Sequence, residues 1–283
     1  MTTGDGNTIL GYQAGDAITT SGYNALLGYQ AGSALVDGGG LNVIIGYQPL
    51  YLGTANAGAI AIGTRAGYNS QASNNVYVGA SAGRESRAGG SQVYIGASAG
   101  YYATGSNNTF VGKDAGKGGT TSAPYSSGQY NTAVGYATLD AFTTGHSNAA
   151  VGQESLSALN TGYGNAFFGY RSGQSLTTGY YNIGIGFNST GQQGATTGHD
   201  NVGMGQNALS YLTSGNYNVA IGYNAGDAIS TTASTVLIGG TAGSAINHVD
   251  ALGTVAIGYN AGAAITSGIG NVAIGYLALD AED

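Results

Sequence analysis

Asn218-Val219-Ala220-Ile221-Gly222-Tyr223-Asn224-Ala225-Gly226 is the unit from which the rest of the chain can be read. Its opening pattern, Asn-x-x-apolar-Gly, recurs in sixteen copies whose closing glycines run from Gly11 to Gly275, four of them with another residue in place of the Asn. Successive motif glycines stand 17, 18, 17, 16, 17, 16, 23, 17, 17, 17, 19, 17, 17, 19 and 17 residues apart. A short fixed period is the mark of a solenoid, in which each repeat packs only on its neighbours. The fold class is therefore all-β, a parallel β-solenoid of about sixteen coils of 16–19 residues apart from one 23-residue interval, in a single repeat domain over residues 1–283. That interval contains Lys117 to Gln129, which predicts a lengthened loop on one coil.

Composition agrees. The 283 residues include 54 glycines, two prolines and only 19 charged residues, against 42% hydrophobic residues, so helices are disfavoured but burial is ample. A net charge of −7 argues against nucleic acid, whose phosphates require a basic surface. With no cysteine, disulfides and thiol nucleophiles are excluded. The opening residues, Met1 to Gly6, form no signal peptide, and no run of 18 apolar residues predicts membrane insertion.

The residue before each motif glycine is always large and apolar, from Leu10 and Leu27 to Ile257 and Ile274, and this predicts a core position. Strand alternation puts the residue two earlier on the same face. The residue between them then points outward, yet it is never charged. Ile9, Leu26, Tyr77, Tyr94, Phe110 and Phe167 are thus expected to form an outer stripe covered by other chains, since soluble monomers rarely expose so large an apolar patch. Asparagine opens twelve of the sixteen motifs, with Ala59, Gln92, Thr235 and Thr254 as exceptions, and amides stacked about 4.8 Å apart can form a hydrogen-bonded ladder.

Asn218-Val219-Ala220-Ile221-Gly222 and Asn271-Val272-Ala273-Ile274-Gly275 resemble the S/N-V-A-I-G repeat of trimeric autotransporter adhesin heads, the YadA-like left-handed parallel β-roll, which also occurs in bacteriophage tail fibres. The resemblance covers nearly the whole chain and implies a left-handed roll and a homotrimer. The familiar head repeat is shorter, and the stalk and membrane barrel of a complete autotransporter are lacking here. The expectation is a phage tail fibre or other extracellular filament, with its ends meeting adjoining modules or further copies of itself.

Little in the sequence suggests an enzyme, a cofactor or a metal. The histidines, His146, His199 and His248, are scattered, and Asp16, Asp114, Asp140, Asp227 and Asp280 read as a solubilising stripe. Aromatics are the better candidates. Tyr23, Tyr163, Tyr180, Tyr181 and Tyr217 decorate the turns and are the expected surface-binding residues, for a host-surface glycan or protein. Arg65, Arg84, Arg87, Lys113 and Lys117, five of the six basic residues, form a separate cluster suited to an anionic surface or another subunit. The leading expectation is a structural and adhesive fibre module mediating host attachment; the alternative is a filament or appendage subunit without receptor binding. An ice-binding solenoid is disfavoured, because its flat Thr-x-Thr arrays are missing.

Overall fold

The computed structural model describes residues 4–36, 40–54 and 56–280. It is an all-β parallel solenoid with sixteen three-residue strands and one 3-10 turn, Val249–Ala251, among the described residues. Among the described residues, no helix is long and apolar enough to cross a membrane.

The chain divides into two compact units, Met1–His146 and Ser147–Asp283. The first carries β1 (Thr8–Leu10), β2 (Ala25–Leu27), β3 (Val43–Ile45), β4 (Ile60–Ile62), β5 (Val76–Val78), β6 (Val93–Ile95), β7 (Thr109–Val111) and β8 (Thr132–Val134). The second carries β9 (Ala149–Val151), β10 (Ala166–Phe168), β11 (Ile183–Ile185), β12 (Val202–Met204), β13 (Val219–Ile221), β14 (Val236–Ile238), β15 (Val255–Ile257) and β16 (Val272–Ile274). Within each unit every strand pairs in parallel with the next, motif on motif, as where Val219, Ala220 and Ile221 face Val236, Leu237 and Ile238.

The direction in which the strands face corrects the expected stripe. Strand centres point into the coil: Leu26, Tyr77, Tyr94, Phe110 and Phe167 are all buried within their own unit, and only Ile9, on β1, is partly exposed. These side chains are therefore not the inter-chain surface. The residues before the motif glycines face outward instead, Leu27 at 46% exposure and Ile221 at 37%. Alternation explains the reversal. The buried motif asparagine stands two residues before the strand centre, so both point inward and the flanking pair points out.

The interior is filled in part by trading volumes around the coil. In several coils the position nine residues after the strand centre is buried and unequal to it, small where the centre is large (Tyr77 with Ser86, Tyr94 with Ala103) or large where it is small (Ala133 with Phe142, Ala150 with Leu159, Ala220 with Ile229), whereas Leu26 with Leu35, Phe167 with Leu176 and Leu237 with Ile246 set two large side chains together. Such compensation keeps the core at the close packing that interiors require. At the centre of β11 the compensation comes from the preceding coil, because the Phe167 ring occupies the space a side chain at Gly184 would take.

The asparagines form the expected ladder. Asn165 Nδ2 donates to Asn148 Oδ1 at 3.0 Å, Asn182 Nδ2 to Asn165 at 3.2 Å, Asn201 Nδ2 to Asn182 at 3.0 Å and Asn218 Nδ2 to Asn201 at 3.1 Å. Each Oδ1 also accepts the backbone N–H of the next motif asparagine, and each Nδ2 donates to a turn carbonyl one coil on, as from Asn165 to Gly179 O at 2.9 Å. A buried amide is thus satisfied on both ends, which is what allows it in the core. Gly222 shows why the motif must close on glycine. Its φ is +140°, and a Cβ there would stand 2.3 Å from the carbonyl oxygen of Gly239 in the next coil.

Candidate functional site

Two surface features carry side chains suited to binding, one in each unit. In the second unit, the turns preceding the motif asparagines stack an aromatic column. Tyr163 and Tyr180 lie face to face with ring centroids 5.1 Å apart, and Tyr180 stacks on the His199 imidazole at 4.6 Å. Tyr181 stands edge-on to both tyrosines and Tyr217 edge-on to His199. The rings meet because equivalent turn positions repeat one coil apart, close to the spacing of stacked aromatics.

The column is held from beneath. The Tyr181 ring covers Gly164, where a Cβ would come within 2.6 Å of it. His199 Nδ1 lies 2.8 Å from Asp200 Oδ2, and the His199 N–H donates to Asn216 Oδ1 at 2.9 Å. The Tyr180 hydroxyl is pushed above its ordinary pKa, first by desolvation and then by Tyr163 and Asp200 beside it. Four of the five expected surface-binding tyrosines are thus gathered into one site. Tyr23, 68% exposed, lies apart from them in the first unit, its ring over Gly6.

The first unit carries a different column, built on Arg84 and Lys117 of the expected basic cluster together with tyrosines that the motif-based reading missed. Five residues after the motif glycine, successive coils place Tyr51, Tyr68, Arg84, Tyr101 and Lys117. Tyr51 stacks on Tyr68 at 5.2 Å, and the Arg84 guanidinium lies between Tyr68 and Tyr101, 5.7 and 5.4 Å from their centroids. Arg84 also donates to the Tyr101 hydroxyl. Tyr102 and Tyr125 extend the array, their rings stacked at 5.8 Å, and Arg87 lies 5.2 Å from the Tyr125 centroid. Aligning the coils on their glycines and reading down this column would have found it.

The post-glycine aromatics are also outward and stacked, Tyr12 on Tyr29 and Tyr29 on Tyr47 at 5.2 Å each, and Tyr170 on Phe187 at 5.4 Å. They border the outward aliphatic face of the strands. Among the described residues, no three histidines, cysteines or carboxylates come together in a way that could hold a metal ion. In comparisons with known proteins, no family model, no curated protein and no solved structure matches this chain.

Proposed function

We propose that this protein is a structural and adhesive fibre module, a homotrimeric rod of the kind found in phage tail fibres, attaching to a host surface through its turns. The observation that carries the reading is the outward face of the strands. At both outward positions it is almost entirely aliphatic, as in Ile183 and Ile185 or Val219 and Ile221, and it continues from coil to coil within each unit. An apolar face of that extent needs a cover, and three copies of this chain supply one. The aromatic column from Tyr163 to Tyr217 gives the module an ordered contact surface, and repetition along a trimer would strengthen weak contacts by multivalency. The resemblance of the motif to trimeric adhesin heads supports the same reading.

Light scattering on the purified protein, with negative-stain images of the same sample, tests it. Three chains of 27.9 kDa give about 84 kDa, and the paired substitution Ile221→Glu with Ile238→Glu, on adjacent outward positions, is expected to return the particle to monomers. A parent protein that is itself monomeric would overturn the reading. Long filaments would favour a self-assembling appendage subunit instead.

A further inference from the structure

The long loop of the first unit does more than lengthen one coil. Ser126 is drawn back into the coil stack, pairing with Ala103 and accepting the Thr104 N–H at 2.7 Å, so the residues before it stand out from the surface. Between that rim and the neighbouring turns lies a cleft of about 530 Å³, within the usual range for small-ligand sites. Its lining is mixed: the Arg87 guanidinium, the Tyr125 ring, and the hydroxyl-bearing residues Thr120, Ser122, Ser127 and Thr144. A second cleft of about 260 Å³, reaching to Tyr130 and His146, shares Ser127 and Thr144 with the first.

Charge singles out the same region. Between residues 84 and 144, the stretch that holds the cleft lining, there are four basic residues, Arg84, Arg87, Lys113 and Lys117, and three acidic ones, Glu85, Asp114 and Asp140, a net +1 in a chain of −7. Arg87 reaches Glu85 Oε2 at 3.1 Å and the Tyr125 hydroxyl at 3.5 Å, both through Nη2. Its side chain is about half exposed, and a guanidinium carries further N–H donors suited to a carboxylate. The flat Tyr125 face, braced by Tyr102, suits the C–H face of a sugar ring, and the hydroxyls suit its OH groups.

We propose that these adjoining clefts form a saccharide site of at least two sugar units, selective for sugars that carry a carboxylate. The assignment rests on the adhesive reading and names its ligand class. Titration calorimetry on the full chain, with sialyllactose and trigalacturonate as probes and lactose and methyl-esterified trigalacturonate as neutral counterparts, tests it. An acidic probe is expected to bind at least tenfold more tightly than its neutral partner, with affinity falling as salt rises. Arg87→Gln should erase that preference, and Ser122→Tyr, which fills the cleft from an exposed loop position, should abolish binding. No binding of either acidic probe, equal binding of acidic and neutral sugars, or unchanged binding in both variants would overturn the site. Surface attachment of the parent protein, measured separately, judges the adhesive reading: attachment that survives in both variants leaves that reading standing without this site, while saccharide binding without attachment does the reverse.

Discussion

The coils around β5 to β7 and those from β9 to β13 share one backbone plan yet hold their interiors together differently. In the former, Tyr77 leans tilted on Tyr94 with centroids 5.7 Å apart, Tyr94 stacks on Phe110 at 4.9 Å, and Phe142 closes the column edge-on at 5.6 Å. The asparagine ladder is interrupted there: Gln92 replaces one rung, and the Tyr77 hydroxyl repairs the gap by donating to Gln92 Oε1 at 2.9 Å. From β9 to β13 the ladder runs unbroken from Asn148 to Asn218, and the centres of β9, β11, β12 and β13 are only Ala or Gly. One plan thus tolerates two interior chemistries, an aromatic column and a bonded amide ladder over small strand centres.

The largest effect that would test this contrast is Phe110→Ala. The ring touches Tyr94 and Phe142 and fills the place of a missing Cβ at Gly116, so truncation is expected to cost about 3–5 kcal/mol and to lower the melting transition of the first unit. Calorimetry should show that transition moving while that of the second unit stays in place.

Alkaline pH should separate the two regions next. Burial raises the Tyr77 hydroxyl from 10.0 to about 12, and Tyr94, also buried, is raised well above its ordinary value. An unfolded tyrosine ionises near pH 10 while the folded one stays neutral, so stability is fully present below pH 10 and falls as pH climbs towards 12. The loss approaches about 3 kcal/mol from Tyr77 alone. Denaturant midpoints measured from pH 9 to pH 12 should fall in the parent and fall less steeply in Tyr77→Phe.

A smaller effect belongs to the amide ladder. Asn182→Ala removes the acceptor of the Asn201 N–H and leaves the turn carbonyl of Gly198 without its side-chain donor, at a cost of about 1–3 kcal/mol. Amide hydrogen exchange at Asn201 should quicken in that variant, while exchange near Tyr94 should not change.

The repeat, the parallel strands, the closing glycine and the asparagine ladder could all be read from Asn-x-x-apolar-Gly. The inward direction could not be read from hydrophobicity, because the outward residues Leu27 and Ile221 are as apolar as Leu26 and Ala220 within the coil. The deciding clue was polar. Had the stacked asparagines been placed inside, alternation would have put Leu26, Tyr77 and Phe110 inside with them. Of the surface features, the turn tyrosines were visible because they cluster beside the motif, whereas Tyr51, Tyr68 and Tyr101 lie far enough from it to pass as scattered residues. Their alignment appears once the coils are set in register on the motif glycines.

The unequal partners nine residues apart also bear on how a repetitive chain finds its own register. Identical coils could be looped out or exchanged during folding at almost no penalty, leaving the solenoid one turn short. Here a coil centred on Tyr94 carries Ala103 across from it, and one centred on Ala133 carries Phe142. A slipped arrangement there would set a ring above the wrong neighbour or open a void beside it, so these aromatic coils act as page numbers that fix the order of the stack around them.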